Sequence, residues 1–226
     1  MNEKKNEEFD FNAYTKMVKS YQEKDEPTAW FDSIYKNANG DYTAVFWADL
    51  EPSGHLVQWL KNNPIKTSKK AIVIGCGVGD DCEALSQFGY EVIGFDISPT
   101  AIELCQNRYP NSKVNYMVAD LFDYPKEWFE NFDVVYECNT IQVLPGKYRI
   151  LARQAMSSLL ASKAHILVSC RSRNKGEQEE VIPLPLDKEE IDAFVTSDNL
   201  KEISFLAYDD EQTPPVPHFF AVYQKV

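Results

Sequence analysis

The stretch Ile72-Val73-Ile74-Gly75-Cys76-Gly77-Val78-Gly79-Asp80-Asp81, followed by Gly94-Phe95-Asp96, decides how this chain is read. A short apolar run enters a glycine-rich turn, and a helical pattern follows. A carboxylate then closes the next apolar run about twenty residues on, which is the spacing of a nucleoside site whose acid meets a ribose. The glycine spacing disfavours a dinucleotide such as NAD or FAD. A G-x-G-x-x-G fingerprint begun at Gly75 needs glycine at position 80, where Asp80 stands beside Asp81. Helix N-termini attract phosphate, yet two carboxylates there repel a pyrophosphate by roughly 1 kcal/mol even in well-solvated surroundings. That argues against a nucleotide-dependent oxidoreductase. The same acids suit a cationic adenosine derivative, which Gly75, Gly77 and Gly79 allow the main chain to approach.

The run from Ile72 to Asp81 resembles motif I of the class I S-adenosylmethionine-dependent methyltransferases, and Asp96 matches the acid that ends their second strand. Ala119-Asp120-Leu121 resembles the third cofactor motif of that family, where an acidic or polar side chain meets the adenine amino group. The resemblance implies S-adenosyl-L-methionine as cofactor, held by Gly75, Cys76, Gly77, Gly79, Asp96, Ile97, Asp120 and Leu121, with Trp30, Trp47 and Glu137 adjoining. Val73 departs from the pattern, since the family often has Asp or Glu two residues before the first glycine.

Outward from the glycine turn, apolar runs near 71–75, 91–95, 114–118, 132–137 and 165–170 alternate with helical patterns, which reads as a parallel, doubly wound sheet. Asp80 and Asp81 open a helix that Gly89 closes, and Ser98-Pro99 opens the next. Another helix runs from Tyr148 to Ala161, and one more follows Asp187. The runs 203–208 and 218–223 flank Thr213-Pro214-Pro215-Val216-Pro217 and read as an antiparallel hairpin at one side of the sheet. The expected fold is α/β, a Rossmann-like class I methyltransferase sandwich with a mostly parallel seven-stranded sheet and an antiparallel C-terminal hairpin strand. Residues 66–226 form the cofactor domain. Residues 1–65 form an extension: a polar surface helix within 1–24 with sparse apolar spacing, then an aromatic segment from Trp30 to Leu60.

Composition narrows the function. The chain has 226 residues and a formal net charge of -12, which opposes nucleic-acid binding. The basic cluster Lys66 to Lys70 reads as a solvated linker end. No apolar run reaches the eighteen or so residues that span a bilayer, and the charged start Met1 to Asp10 lacks a signal-peptide core, so a cytoplasmic protein is expected. Five cysteines without a CxxC pair fit reduced thiols, and His55, His165 and His218 lack ligand spacing, so no metal is expected. The sequence does not fix an oligomeric state.

Ligands of open α/β sheets bind outside the carboxyl ends of the strands. After the fourth strand stand Glu137, Cys138, Asn139 and Thr140; after the fifth stand Arg171, Ser172 and Arg173. Glu137 either faces the ammonium or sulfonium of the cofactor or caps the next helix. The segment from Glu137 to Arg149 resembles the corresponding region of thiopurine methyltransferase and its small-molecule relatives, and Trp30 to Trp47 resembles their N-terminal cover. Cys138 stands where those proteins commonly have an arginine, and Val181 to Leu186 loosely echoes their Gly-Pro-Pro segment. The resemblance implies a small-molecule acceptor, a thiol or other soft nucleophile first, with O- and N-methylation open. A catalytically silent S-adenosylmethionine-binding subunit is the alternative that Val73 and Cys138 favour. Tyr42, Phe46, Asn139 and Arg171 are the candidate acceptor contacts, with Tyr42 and Phe46 alternatively packing the core. His218, Arg171 and Asn139 are the candidate catalytic groups, His218 and Arg171 having structural or solvated roles as alternatives.

Overall fold

The computed structural model describes residues 11–24, 26, 28–177 and 183–226. Met1 to Asp10 and the first two residues of the Val181–Leu186 segment lie outside them. Seven strands form one sheet: β1 (Lys70–Ile74), β2 (Glu91–Asp96), β3 (Asn115–Val118), β4 (Phe132–Cys138), β5 (Leu160–Arg171), β6 (Leu200–Asp209) and β7 (Pro217–Lys225). Their order is β3-β2-β1-β4-β5-β7-β6. The pairings from β3 to β5 are parallel, and β7 runs antiparallel between β5 and β6. This is the expected sandwich, with the hairpin strand β7 inserted inside the edge strand. The central strands read as continuous apolar runs because both faces are covered. On one face α6 (Gly146–Leu159) and α7 (Lys188–Thr196) bury Ala152, Met156, Ile191 and Phe194 against Ile72, Val135 and Ile166. On the other, α3 (Gly54–Asn62), α4 (Asp80–Gln87) and α5 (Pro99–Arg108) bury Leu56, Leu60, Leu85 and Ile102 against Val73, Tyr136 and Leu167.

Local chemistry sets the helix ends. Ser98 Oγ accepts from Ala101 N–H at 3.0 Å with Pro99 in the first turn, Gly89 leaves α4 at φ +95°, and Asp187 with Glu190 forms a capping box on α7. One reading needs correction. The helix expected to reach Ala161 stops at Leu159 and passes directly into β5, because Leu159-Leu160-Ala161 continues the apolar pattern across a junction that carries no breaker. The N-terminal helix, α1 (Phe11–Gln22), is the expected surface helix, and what the sequence left open is its partner: Tyr14 and Val18 are buried in a cluster with Trp30 and Leu184. A helix of that length needs such packing, since its intrinsic helicity in water is marginal. The short α2 (Phe31–Asn37) follows. The register aligns Ile74 with Phe95 and Glu137, and Cys138 with Ser169, so the turn after β1 and the ends of β2, β4 and β5 share one edge.

Candidate active site

The turn after β1 is held in a conformation that suits glycine. Gly75, Gly77 and Gly79 have φ of +59°, +56° and +94°. A Cβ on Gly75 would lie 2.6 Å from Thr140 Oγ1, and one on Gly79 would lie 2.6 Å from the Tyr116 hydroxyl. Cys76 N–H donates to Phe95 O at 2.9 Å, tying the turn to β2. Asp96 ends β2 beneath it. One carboxylate oxygen accepts from Gly77 N–H at 3.1 Å and the other from Ser98 N–H at 2.9 Å. Burial lifts this carboxyl to about 6, against the pull of those amides.

The neighbouring acids correct part of the sequence argument. Asp80 is gripped by both guanidinium nitrogens of Arg108, at 2.6 and 2.7 Å, and accepts from the Tyr109 hydroxyl. Asp81 accepts from Ser53 N–H at 2.8 Å, and burial raises its carboxyl to about 6. Neither presents a free negative charge to the turn, so their effect on a ligand's charge is weaker than their sequence position implies. On the adenine side of the expected site, Ala119 N–H donates to Asp96 O, Asp120 Oδ1 closes its own turn on Phe122 N–H, Leu121 is buried, and Ile97 is half-buried.

The aromatic segment does lie over this turn. Trp30 is buried against Tyr14, Phe31 and Trp47. Trp47 donates from its indole N–H to the Tyr35 hydroxyl at 3.4 Å. That hydroxyl stands 3.3 Å from where a Gly77 Cβ would be, so Tyr35 is the cover residue that touches the glycine turn. Asp32 docks α2 onto α5 by accepting from Ser98 Oγ at 2.7 Å and Thr100 N–H at 3.2 Å. Tyr42 packs over the Arg108 guanidinium, 4.6 Å from ring centre to cation, and so clamps the cover. Phe46 is 46% exposed and meets Tyr14 and Trp47 edge-on.

At the ends of β4, β5 and β7 the remaining candidates part company. Glu137 is fully buried. Its Oε2 accepts from Thr140 and Ile141 N–H, both at 3.1 Å, which caps the short turn Ile141–Val143. Its Oε1 has no hydrogen-bond partner, and burial lifts the carboxyl to about 8 despite the pull of the backbone amides of Ile141, Thr140 and Ser169. Capping is the role of Oε2 in this geometry. Asn139 adopts φ +61° with its N–H on Ser169 O, an exposed turn position that asparagine tolerates. Arg171 ends β5 half-buried, directly across from His218 on β7, which is itself paired with Tyr208 on β6. His218 Nδ1 lies 2.8 Å from Val216 O. A carbonyl can only accept, so Nδ1 carries the proton and Nε2 keeps the lone pair when the ring is neutral. Arg171 also acts on the Tyr14 hydroxyl: burial raises that group to about 12 and the Arg171 charge opposes the rise.

Sequence reading missed Asp32 and Arg108, and it placed Thr140 after the fourth strand and Tyr35 in the aromatic segment without giving either a contact with the turn. It also missed the thiols packed under the turn, where Cys105 Sγ donates to Gly77 O at 3.1 Å and Cys76, Cys82 and Cys105 join one apolar cluster. A search for adjacent cysteine pairs cannot find residues that meet only in the fold. Among the described residues no group of three or more His, Cys, Asp or Glu is arranged to hold a metal ion, and no helix is long and apolar enough to cross a membrane.

Comparison with known proteins agrees with this architecture. Residues 72–168 match the family model described as a methyltransferase domain. The probable thiol methyltransferase 2 of Arabidopsis thaliana is 33% identical over 95 residues, covering 40% of this chain and 41% of that protein. The ubiquinone biosynthesis O-methyltransferase of Thiobacillus denitrificans is 27% identical over 120 residues, 52% of this chain and 51% of that protein. The chain thus spans about half, or less, of the length of the curated relatives it matches. Among solved structures, the 1,6-didemethyltoxoflavin-N1-methyltransferase of Burkholderia thailandensis, with bound 1,6-didemethyltoxoflavin and S-adenosylhomocysteine, is 12% identical. It superposes with a TM-score of 0.71 over 89% of this chain and 90% of that one. Residues 72–168 thus carry the match to a methyltransferase domain, and the seven-stranded sheet with its antiparallel C-terminal strands has the Rossmann-like fold of class I methyltransferases.

Proposed function

We propose that this protein moves the methyl group of S-adenosyl-L-methionine to a small-molecule acceptor, with a thiol or other soft nucleophile preferred, as in the thiopurine methyltransferase-like branch. The observation that carries the reading is the glycine turn with Asp96 beneath it and Tyr35 above it. These residues fit the cofactor. Each Asp96 oxygen spends one lone pair on a backbone N–H and keeps capacity for a donor, which is what a ribose diol supplies. When bound, S-adenosylmethionine supplies a methyl carbon activated by its sulfonium. The backbone of Gly75, Cys76, Gly77 and Gly79 would hold it, Asp96 would accept from its ribose, Ile97 and Leu121 would flank its adenine, and Asp120 would meet the adenine amino group. Trp30 and Trp47 close the cover that Tyr42 clamps through Arg108. Phe46, Asn139 and Arg171 border the acceptor.

A thiol with a pKa of about 8.5 is partly ionised near neutrality, so positioning supplies much of its methylation. His218 Nε2 is the group that would take a proton from a less acidic acceptor. The relatives' names alone do not choose among acceptors, since they cite a thiol, an oxygen and a ring nitrogen.

Calorimetry with S-adenosylhomocysteine and with NADH tests the cofactor, and heat only with NADH would overturn it. Labelled-methyl transfer to a panel of thiols, phenols and amines tests the acceptor. Turnover confined to phenols or amines would overturn the soft-nucleophile preference. Cofactor binding without turnover across the panel would leave the silent binding subunit.

A further inference from the structure

The chain contains five arginines against thirty-five acidic residues. Four are matched to carboxylates: Arg108 with Asp80, Arg149 with Glu190, Arg153 with Asp198, and Arg173 with Asp187 and Glu190. Arg171 is the exception. Half-buried at the end of β5, its guanidinium has no carboxylate partner among the described residues. Its main chain is nevertheless firmly held: the N–H donates to Gln142 Oε1 at 2.5 Å, and the carbonyl accepts from Leu186 N–H at 3.0 Å. Tyr14 lies within range of its charge, and Tyr14 belongs to the aromatic wall with Trp30 and Phe46.

A partly desolvated cation without a counter-ion costs stability that an incoming anion recovers. In so acidic a chain, a partner carboxylate was abundantly available from sequence, yet none was placed here. The planar guanidinium fork matches a carboxylate bidentately, and it stands at the carboxyl edge of the sheet, where ligands of such sheets bind. Resting on the methyl-transfer reading above, we propose that the acceptor carries a carboxylate, which Arg171 holds while the body of the acceptor lies against the aromatic cover.

The test uses two thiols that differ in that group, 4-mercaptobenzoate and its neutral isostere 4-mercaptobenzamide, with wild type, Arg171→Gln and Arg171→Lys. Wild type should show a KM at least tenfold lower for the acid. Arg171→Gln should raise the acid's KM to that of the amide, leaving kcat within threefold and S-adenosylhomocysteine affinity unchanged, and Arg171→Lys should recover part of the preference. In parallel, calorimetry on protein saturated with S-adenosylhomocysteine should detect benzoate but not benzamide binding, lost in Arg171→Gln and weakened by salt. Equal KM for both thiols in wild type, or a loss in Arg171→Gln shared equally by both, would overturn the proposal even with methyl transfer intact. Arg171-dependent benzoate binding with neither thiol methylated would support the anion site while removing the thiol reading. The lysine variant guards against a glutamine variant that does not fold.

Discussion

Along the edge where the strands end, the turn after β1 and the ends of β5 and β7 are built on opposite terms. In the turn, Asp80 is locked to Arg108, Asp96 holds two backbone amides, and Tyr116 and Thr140 crowd glycines in a left-handed backbone. Near β5 and β7, the Arg171 guanidinium has no carboxylate partner among the described residues, His218 presents Nε2, and Asn139 is exposed in a turn. A region whose polar groups satisfy one another keeps its shape unaided, which suits a ligand of constant identity. A region that leaves hydrogen-bonding capacity open is where a variable ligand is read.

The sharpest way to break the comparison is to replace each of the two arginines, Arg108 and Arg171. Arg108→Ala leaves Asp80 without its partner, with both side chains of the pair only 12–13% exposed. We expect a loss of about 4 kcal/mol and a melting temperature lower by roughly 8–16 °C, with weaker S-adenosylhomocysteine binding. Arg171→Gln, which breaks no ion pair, should shift melting by about 2 °C or less. Similar shifts in the two scans would erase the distinction.

Acidity gives the next largest effect. Burial raises Glu137 to about 8, and Asp81 and Asp96 to about 6, all above their unfolded values. The fold therefore binds more protons than the unfolded chain between about pH 4 and 8, so stability falls as pH rises through that window. For Glu137 the difference between pH 5 and pH 9 is about 4 kcal/mol. Its amide isostere can still accept from Thr140 and Ile141 N–H, so Glu137→Gln should melt higher than wild type at pH 9 and equal it near pH 5. A wild-type melting curve flat from pH 5 to 9 would show that Glu137 is solvated or paired.

The contrast was half legible in sequence. Parallel strands covered on both faces leave apolar runs that stand out, and Gly75, Gly77, Gly79 and Asp96 announce themselves by spacing. What the spacing could not carry is who meets whom. Arg108 reaches Asp80 from another helix, 28 residues on, and Cys105 reaches Gly77 O from α5, also 28 residues on. The helix α3 was hidden for a different reason: its Leu56, Trp59 and Leu60 spacing, with Ser53 as N-cap, sits in a stretch whose aromatic content dominated the reading. Arg171 was visible as a candidate, but a missing partner can only be seen once all four other arginines are placed.

Backbone conformation separates the turn from ordinary glycine sites. Gly79 and Gly40 both have positive φ, +94° and +82°, but a Cβ on Gly40 meets nothing within 4 Å. Gly40→Ala should cost about 1 kcal/mol of backbone strain alone. Gly79→Ala adds displacement of the Tyr116 hydroxyl, which also donates to Glu83 at 2.8 Å, for a total of about 2 kcal/mol. Cofactor affinity should fall only for Gly79→Ala. Equal losses of affinity would mean that the turn's shape is not what the cofactor reads.

The smallest effect concerns the tie between the cover and the turn. Asp32 acts as an added cap on α5, and although burial pushes its carboxyl up, the bonds from Lys36, Ser98 and Thr100 bring it well below the usual carboxylate range. Its folded value is depressed, so its contribution is fully present above about pH 4 and is lost as pH falls through the folded value. Asp32→Ala should cost about 1 kcal/mol, the loss of one cap, or roughly 2–4 °C in melting temperature. Because α2 also carries Tyr35 against Gly77, amide hydrogen exchange in residues 31–37 should accelerate while that in β1 and β4 stays unchanged. Faster exchange in β1 as well would mean that the cover and the turn open as one unit, and that the turn is no more self-sufficient than the ends of β5 and β7.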